Sequence, residues 1–522
     1  MRKISILMAL LITGYVLGIW NFLLMPKYYI TFGLKGFAIS LIVLAIGLLL
    51  IFSELEATRR TRYLIHEFFV KVARFPAVTL TLLMFLMIMG GLTLYFSSRA
   101  LGEIFELNSR ALASVIIGVI LVIWVFLVLL KGRSVEFIGA MAVLFIIFAI
   151  AATLVMRQEV HSFVRTENAL QQLNAYRDAI FSFNHPLTVR GLVLMFITVL
   201  LSLGLGAGVY YVLGSFAPAE LDLKKLLGAV IILQIILSFA AALTTAYAIG
   251  AAYQSYDDAY TTYMTEYRNY QSAKIQYSKI HEELARIFSN PESDPNKAIE
   301  ILKKQQQLKE TLKKMNQTLA RMNQTLTVAN KKLQTARKAQ IYANSSTQPP
   351  MRAIENFYFL SKVIRESKLP EASNIIFLLM SSLFLAGFTT LIVLVEIGAQ
   401  ISAEVFQLRR VGSVTFLSAG TAVLGLISIV VGIREMLLTV PFAVGAIIMA
   451  IEAVPLIKGA SPFDRGTVTA AILGTLLVGL AGVYYMLKTG GTYVTLGVLL
   501  SLMLFLPLLF NGYLLAQSRG GR

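Results

Sequence analysis

Hydrophobic runs long enough to cross a bilayer recur along the whole chain, and no other feature constrains its fold as much. A helix crossing lipid needs about twenty predominantly apolar residues. Runs of that length fall at about 4–25, 31–53, 77–97, 111–130, 135–156, 190–216, 224–250, 373–398, 412–433, 437–457, 467–487 and 491–516, twelve in all. Inside lipid every backbone polar group must find an internal partner, which favours helices for segments of this length. The predicted class is therefore all-α, a polytopic membrane protein of about 12 transmembrane helices. A hydrophobic share of 57%, a charged share of 14% and a mean hydropathy of +0.73 agree with it.

Several chemistries drop out at once. The chain has no cysteine, so disulfides, thiolate metal sites and cysteine nucleophiles are excluded. Its four histidines are scattered, and no GxxxxGK[ST] loop is present. No nucleophile–base pair stands out, so no enzyme and no organic cofactor are expected. The net charge of +18 reads as cytoplasmic loops rich in Lys and Arg, with no nucleic-acid partner. "MRKISILMALLITGYVLG" has the basic start of a signal peptide. No A-x-A site follows it and a second span begins almost at once, so a retained first helix is expected. Basic turns at 57–62, 131–133 and 408–410, with the tail "SRGGR", alternate with less basic ones. That bias predicts a cell-membrane protein with both termini cytoplasmic.

One polar insertion, residues 251–371, separates spans 1–7 (residues 1–250) from spans 8–12 (residues 372–522). Within it Tyr253, Tyr256, Tyr260, Tyr263, Tyr267, Tyr270 and Tyr277 step by threes and fours, apart from one step of seven. "SNPESDPN" (289–296) reads as a turn, after which Leu308, Leu312, Met315, Leu319, Met322, Leu326, Leu333 and Ala336 resume the spacing. Two such helices predict an extracellular antiparallel coiled-coil hairpin, with the tyrosine and Leu/Met edges facing each other. It is either a stalk or a docking surface for an envelope protein or a second copy. Asn316-Gln-Thr, Asn323-Gln-Thr and Asn344-Ser-Ser are N-x-[ST] acceptor tripeptides in keeping with an external position.

Two spans look built to break. The first carries Gly14, Gly18 and Asn21 in "TGYVLGIWNFLLMP", and the sixth carries Gly204, Gly206 and Gly208 in "LLSLGLGAGVYYVLGSF". Each interior glycine costs about 1 kcal/mol of helix stability against alanine. Gly-interrupted spans at matching places in two halves point to a secondary-transporter binding site. Spans one and six open two sets of five helices, a 5+5 inverted repeat. Packing glycines remain the alternative.

These stretches resemble a known family. "GIWNFLLMPKYYITFGLKGF" (18–37) is similar to the first-helix signature of the neurotransmitter:sodium symporters, roughly G-x-G-N-x-x-R-F-P. "SLGLGAGVYY" resembles their sixth-helix segment, "LFLAGFTTLIVLVE" (383–396) their eighth, and "LLKGRSVEFIGAMAVLFIIF" their inner turn into helix five. The resemblance implies a leucine-transporter-type fold. It also implies one Na+ held by the carbonyls of Gly14, Leu17 and Ala386 and the hydroxyls of Thr389 and Thr390. Substrate contacts would fall on Gly18, Asn21, Thr93, Ser202, Gly204 and Gly206. Glu54 and Glu452 take the places of acids that brace the broken helices.

The departures are informative too. A second sodium site would need a hydroxyl where Leu200 stands, beside Asn21 and Gln234, so that site is expected to be weak or absent. The helix-three tyrosine of the family aligns near Thr93, with Tyr95 close by. The family's gate arginine and aspartate fall on Leu24 and Leu437, which predicts an apolar outer gate. Glu54 is either a brace or a residue at the cytoplasmic water interface, and Glu396 is a third acid within a span. The sequence thus points to a sodium-coupled symporter of a small organic solute, an amino acid or derivative, in contact with lipid. The rival reading is a non-transporting relative whose membrane core anchors the hairpin.

Overall fold

The computed structural model describes residues 2–130, 134–289, 295–344, 350–458 and 461–520. The basic turn 131–133, most of the turn at 289–296, and the second and third residues of the Asn344 tripeptide lie outside them. Among the described residues ten helices are long and apolar enough to cross a membrane, and the shorter Ser5–Val16 and Val189–Ser202 supply the first halves of spans one and six. Helix Ile19–Thr61 turns at Gly33 and so carries the rest of span one and all of span two. Each of the twelve expected hydrophobic runs is thus helical along most of its length among the described residues.

Side-chain caps set where many helices begin. Asn108, Thr166, Thr188, Asp222 and Asp464 each accept a hydrogen bond from an amide three residues on. Short polar side chains at this position satisfy donors that the first turn leaves free. Spans three (Ala77–Phe105), eight (Ala372–Phe406) and ten (Val431–Ala453) form the core, with 83% of each apolar window buried, against 28% in spans four and twelve. The outer spans turn Leu121, Leu477 and Leu499 outward, where lipid covers them. Span eight packs on spans three and five, and span one packs on five and six.

Span seven does not stop at the membrane. Helix Leu223–Phe288 runs 66 residues without interruption, and Pro295–Asn344 returns along it. Tyr253 with Gln340 (2.8 Å), Ser255 with Lys332 (2.6 Å) and Glu283 with Lys304 (2.9 Å) fix an antiparallel pairing. The seam differs from the sequence expectation by one position in places. Tyr256, Ala259, Tyr263, Tyr270, Tyr277 and Leu284 turn inward, whereas Tyr260 and Tyr267 are exposed. On the second arm Thr311 is buried and its neighbour Leu312 is exposed. A strict three-four spacing passes through Ala259 and Glu266, so tyrosines seven residues apart on an adjacent stripe are left outside. Asn316 and Asn323 are exposed.

A short helix, Glu167–Ile180, lies against the base of the first arm, and helix Pro350–Ser367 connects the hairpin back to span eight.

Candidate functional site

The two breaks lie side by side. In span one the helix ends at Val16 and restarts at Ile19. Gly18 N–H turns to Tyr15 O (3.1 Å) and Asn21 N–H to Gly18 O (3.1 Å). The carbonyls of Gly14 and Leu17 therefore lose the amides that a continuous helix would give them. Gly18 is required by contact, since a Cβ there would sit 2.3 Å from Thr390 Oγ1 of span eight.

Span six is broken over a longer stretch, 203–208, and Gly204, Gly206 and Gly208 have φ of +70°, +87° and +72°. An L side chain meets a steric penalty at such angles. Buried backbone groups need partners, and here side chains supply them. Tyr15 Oη donates to Gly204 O (3.0 Å), Tyr210 Oη donates to Leu203 O, and Glu452 Oε1 accepts from Gly208 N (2.7 Å). Tyr211 Oη donates to the Glu452 carbonyl (3.0 Å). Glu452 thus ties span ten to the restart of span six. Glu54 is 1% exposed, so it is not at a water interface, and neither carboxylate oxygen has a hydrogen-bond partner among the described residues.

The residues implied for sodium fall close together. Thr389 and Thr390 are buried and both donate to Ala386 O, at 3.0 and 2.8 Å. Donation uses the hydroxyl proton and leaves lone pairs on each oxygen. Freed carbonyls on span one and paired hydroxyls on span eight make a set of hard oxygen donors, which suits a small hard cation. The residues present fit the ion.

The substrate positions are divided. Gly18, Ser202 and Gly204 line a central cavity of about 20 Å³ with Tyr15, Trp20 and Phe85. A volume of that size holds about one water. Trp20 fills the space beside it and donates from Nε1 to Thr93 Oγ1 (3.2 Å), so Thr93 is engaged with the protein itself. Gly206 instead faces Met449 and Phe85. Asn21 joins a separate buried cluster, where its Oδ1 accepts from Gln234 Nε2 (3.2 Å) and Ser238 Oγ (3.0 Å). Gln234 also donates to Ser202 Oγ (3.0 Å), and Leu200 brings no hydroxyl to this region.

The side of the membrane that carries the hairpin corrects the expectation of an apolar gate. Leu24 and Leu437 are buried as expected, but a charged clasp closes this side. Glu355, on helix Pro350–Ser367, accepts two hydrogen bonds from Arg99 of span three (2.6 and 2.8 Å) and one from Arg434 of span ten (3.2 Å). Arg434 also donates to Tyr95 Oη (2.5 Å), and the Arg99 guanidinium lies 4.4 Å from the Tyr358 ring centroid. Burial works against the ionised Glu355 carboxylate. The hydrogen bonds and charge of Arg99, with the charge of Arg434, outweigh that effect and hold its pKa below the usual carboxylate value. Beside the clasp is a cavity of about 560 Å³ lined by Tyr95, Arg99, Glu103, Lys362, Arg365 and Arg434. Arg99, Glu355 and Arg434 went unnoticed in the sequence because each sits near a helix end, where charge is ordinary. Glu396, inside helix Ala372–Phe406, is paired with Arg410 of the next helix at 2.9 Å.

Two five-span sets, each opening on a broken helix, with the breaks in contact, define the leucine-transporter type of fold. The chain is similar in structure to MhsT, solved in complex with L-phenylalanine, with a TM-score of 0.55 and 13% identity over 94% of this chain and 99% of that one. No family model matches the sequence, and no curated protein does.

Proposed function

We propose that this chain is a sodium-coupled secondary transporter that carries a small organic solute, an amino acid or a derivative, by alternating access. One observation carries the reading. The Gly14 and Leu17 carbonyls are both released at a break whose glycine packs on Thr390. Sodium on these carbonyls, with Ala386 O, Thr389 Oγ1 and Thr390 Oγ1, would hold the first and eighth spans together. The solute would enter between the breaks after the Trp20 indole swings off Thr93, and the clasp at Glu355 would open and close access on the hairpin side. Positive charge in the opposite turns supports an orientation with that side outside the cell and both termini in the cytoplasm. Transport of this kind needs no enzyme chemistry and no organic cofactor.

The filled central site supports a second reading, in which the core no longer transports and serves as an anchor for the hairpin. Thermal unfolding of the purified chain, in NaCl against choline chloride at equal ionic strength, separates the cation question from the solute question. Sodium at a hundred times its dissociation constant stabilises the folded state by about 2.7 kcal/mol. The double variant Thr389→Val/Thr390→Val keeps the shape and removes both hydroxyls. If sodium stabilises it as well as the parent, the site is misassigned. If sodium binds but no amino acid drives uptake in proteoliposomes, the anchor reading stands.

A further inference from the structure

The hairpin has a face that its own pairing leaves uncovered. One position past the seam, on both arms, lies an apolar stripe repeating every seven residues: Tyr260 and Tyr267 on the first arm, and Leu312, Leu319, Leu326 and Leu333 on the second. Tyr260 is 43% exposed, Tyr267 and Leu312 are each 38% exposed, and the other three are half-buried. The two halves of the stripe share one side of the hairpin. Tyr253 lies seven residues before Tyr260 and Gln340 seven after Leu333, and these two are hydrogen-bonded at 2.8 Å.

At its base this side already receives a helix. Gln172, on Glu167–Ile180, bonds Gln340 (2.6 Å), and Thr166 at that helix's start bonds Asp257. The helix begins level with Asp257, and the stripe continues beyond that point toward the tip with no cover among the described residues.

Charge selects the occupant. Residues 295–344 carry eleven Lys and Arg against two Glu, so two such arms repel if their basic faces meet. The border of the stripe, however, is Asn316, Asn323 and Asn330 on one arm and Met264 and Gln271 on the other. Charge marks only its ends, with Lys274 and Lys309 at one and Asp257 and Arg337 at the other, while Lys314, Arg321, Lys331 and Lys338 fall on other faces of the helix. An apolar stripe edged along its middle with uncharged side chains lets like-charged arms approach. We propose that a second copy of this chain docks there, hairpin to hairpin, about a two-fold axis normal to the membrane. The first arm of each copy then lies beside the second arm of the other. The Glu283–Lys304 and Ser255–Lys332 pairings put Tyr267 level with Leu319 and Tyr260 level with Leu326. Both stripes are buried in a four-helix bundle. This does not depend on the transport reading.

The native chain has no cysteine, so introduced thiols report alone. Two differently tagged full-length chains, Tyr267→Cys and Leu319→Cys, are mixed in detergent and oxidised. A disulfide-linked pair carrying both tags is expected, with none from Asn269→Cys mixed with Arg321→Cys on the polar side. Light scattering is expected to give twice the chain mass for the parent and the single mass for Leu319→Glu/Leu326→Glu, with helicity unchanged. A monomeric parent, equal crosslinking on both sides, or a dimer that survives the double substitution would each overturn the proposal. If the double variant loses helicity, the crosslinking result decides alone.

Discussion

Span ten is fixed at two levels by opposite chemistry. At the far end of helix Val431–Ala453 from the hairpin, Glu452 accepts from the Gly208 amide at the restart of span six. Near the hairpin side, within the same helix, Arg434 offers donors to Glu355, Tyr95 Oη and Ser428 O. The lower tie repairs backbone that a break has left bare. The upper tie joins charged side chains from three separate elements, one of them the helix that ends the hairpin. A break of this kind is permanent because glycine conformation builds it in. A clasp can open once its charges find other partners.

Substitutions at the two levels should differ in size. Glu355→Leu leaves Arg434, 6% exposed, without its carboxylate. Breaking a buried charge pair in this way costs about 3–5 kcal/mol, so the unfolding midpoint should fall furthest for this variant. A loss no larger than that of a surface substitution would show that water already serves Arg434. Glu452→Leu strands the Gly208 amide, a penalty of about 1–3 kcal/mol. Glu452→Gln keeps an acceptor and should recover most of it. Equal losses in the two Glu452 variants would mean that charge, not the hydrogen bond, matters there.

The two breaks themselves should part company next. Gly204→Ala forces a side chain to φ near +70° against the Tyr15 ring, and the backbone term alone is about 1–2 kcal/mol. Trimming Tyr15 cannot remove that term. Gly18 has an ordinary φ of −58°, so Gly18→Ala should suffer chiefly from Thr390 Oγ1 at 2.3 Å, with a lesser clash on Tyr15 O at 2.9 Å, and regain part of its stability when combined with Thr390→Ala. A double-mutant cycle of thermal unfolding reads the difference directly.

Smallest is the pH effect at the clasp. The folded pKa of Glu355 is depressed, so its contribution is fully present above the ordinary glutamate value of about 4.3 and fades as pH falls through the lower folded value. The stability gap between the parent and Glu355→Gln should stay constant from pH 7 to about 5 and narrow only below about 4. A gap that closes near neutrality would place the carboxylate outside the clasp.

The central breaks could be read from sequence because glycine in a lipid-crossing helix is costly and so carries information. Gly18 and the run Gly204 to Gly208 announced them directly. The clasp could not be read that way. Arg434 lies three residues before Leu437, on the same face of the helix, and its partner comes from Glu355 across an entire insertion. A motif read position by position finds leucine and reports an apolar gate. Trp20 was also missed, since its indole fills the space beside the cavity only once span one is folded against Thr93. In the hairpin, tyrosines at both seam and flank positions blurred the register. Ala259 and Thr311, small residues with little hydrophobic signal, hold places that the eye gives to Tyr260 and Leu312.

Helix Leu223–Phe288 has a mechanical consequence. Its 66 residues, at 1.5 Å each, make a rod of about 100 Å, and roughly half of it projects beyond the membrane core. A tilt of about 5° at span seven would sweep the far end through some 4–5 Å, given about 1.5 Å of rise per residue over the projecting half. Small rearrangements around the broken helices would thus be magnified at the tip. A load applied at the tip would return to the core with the leverage reversed.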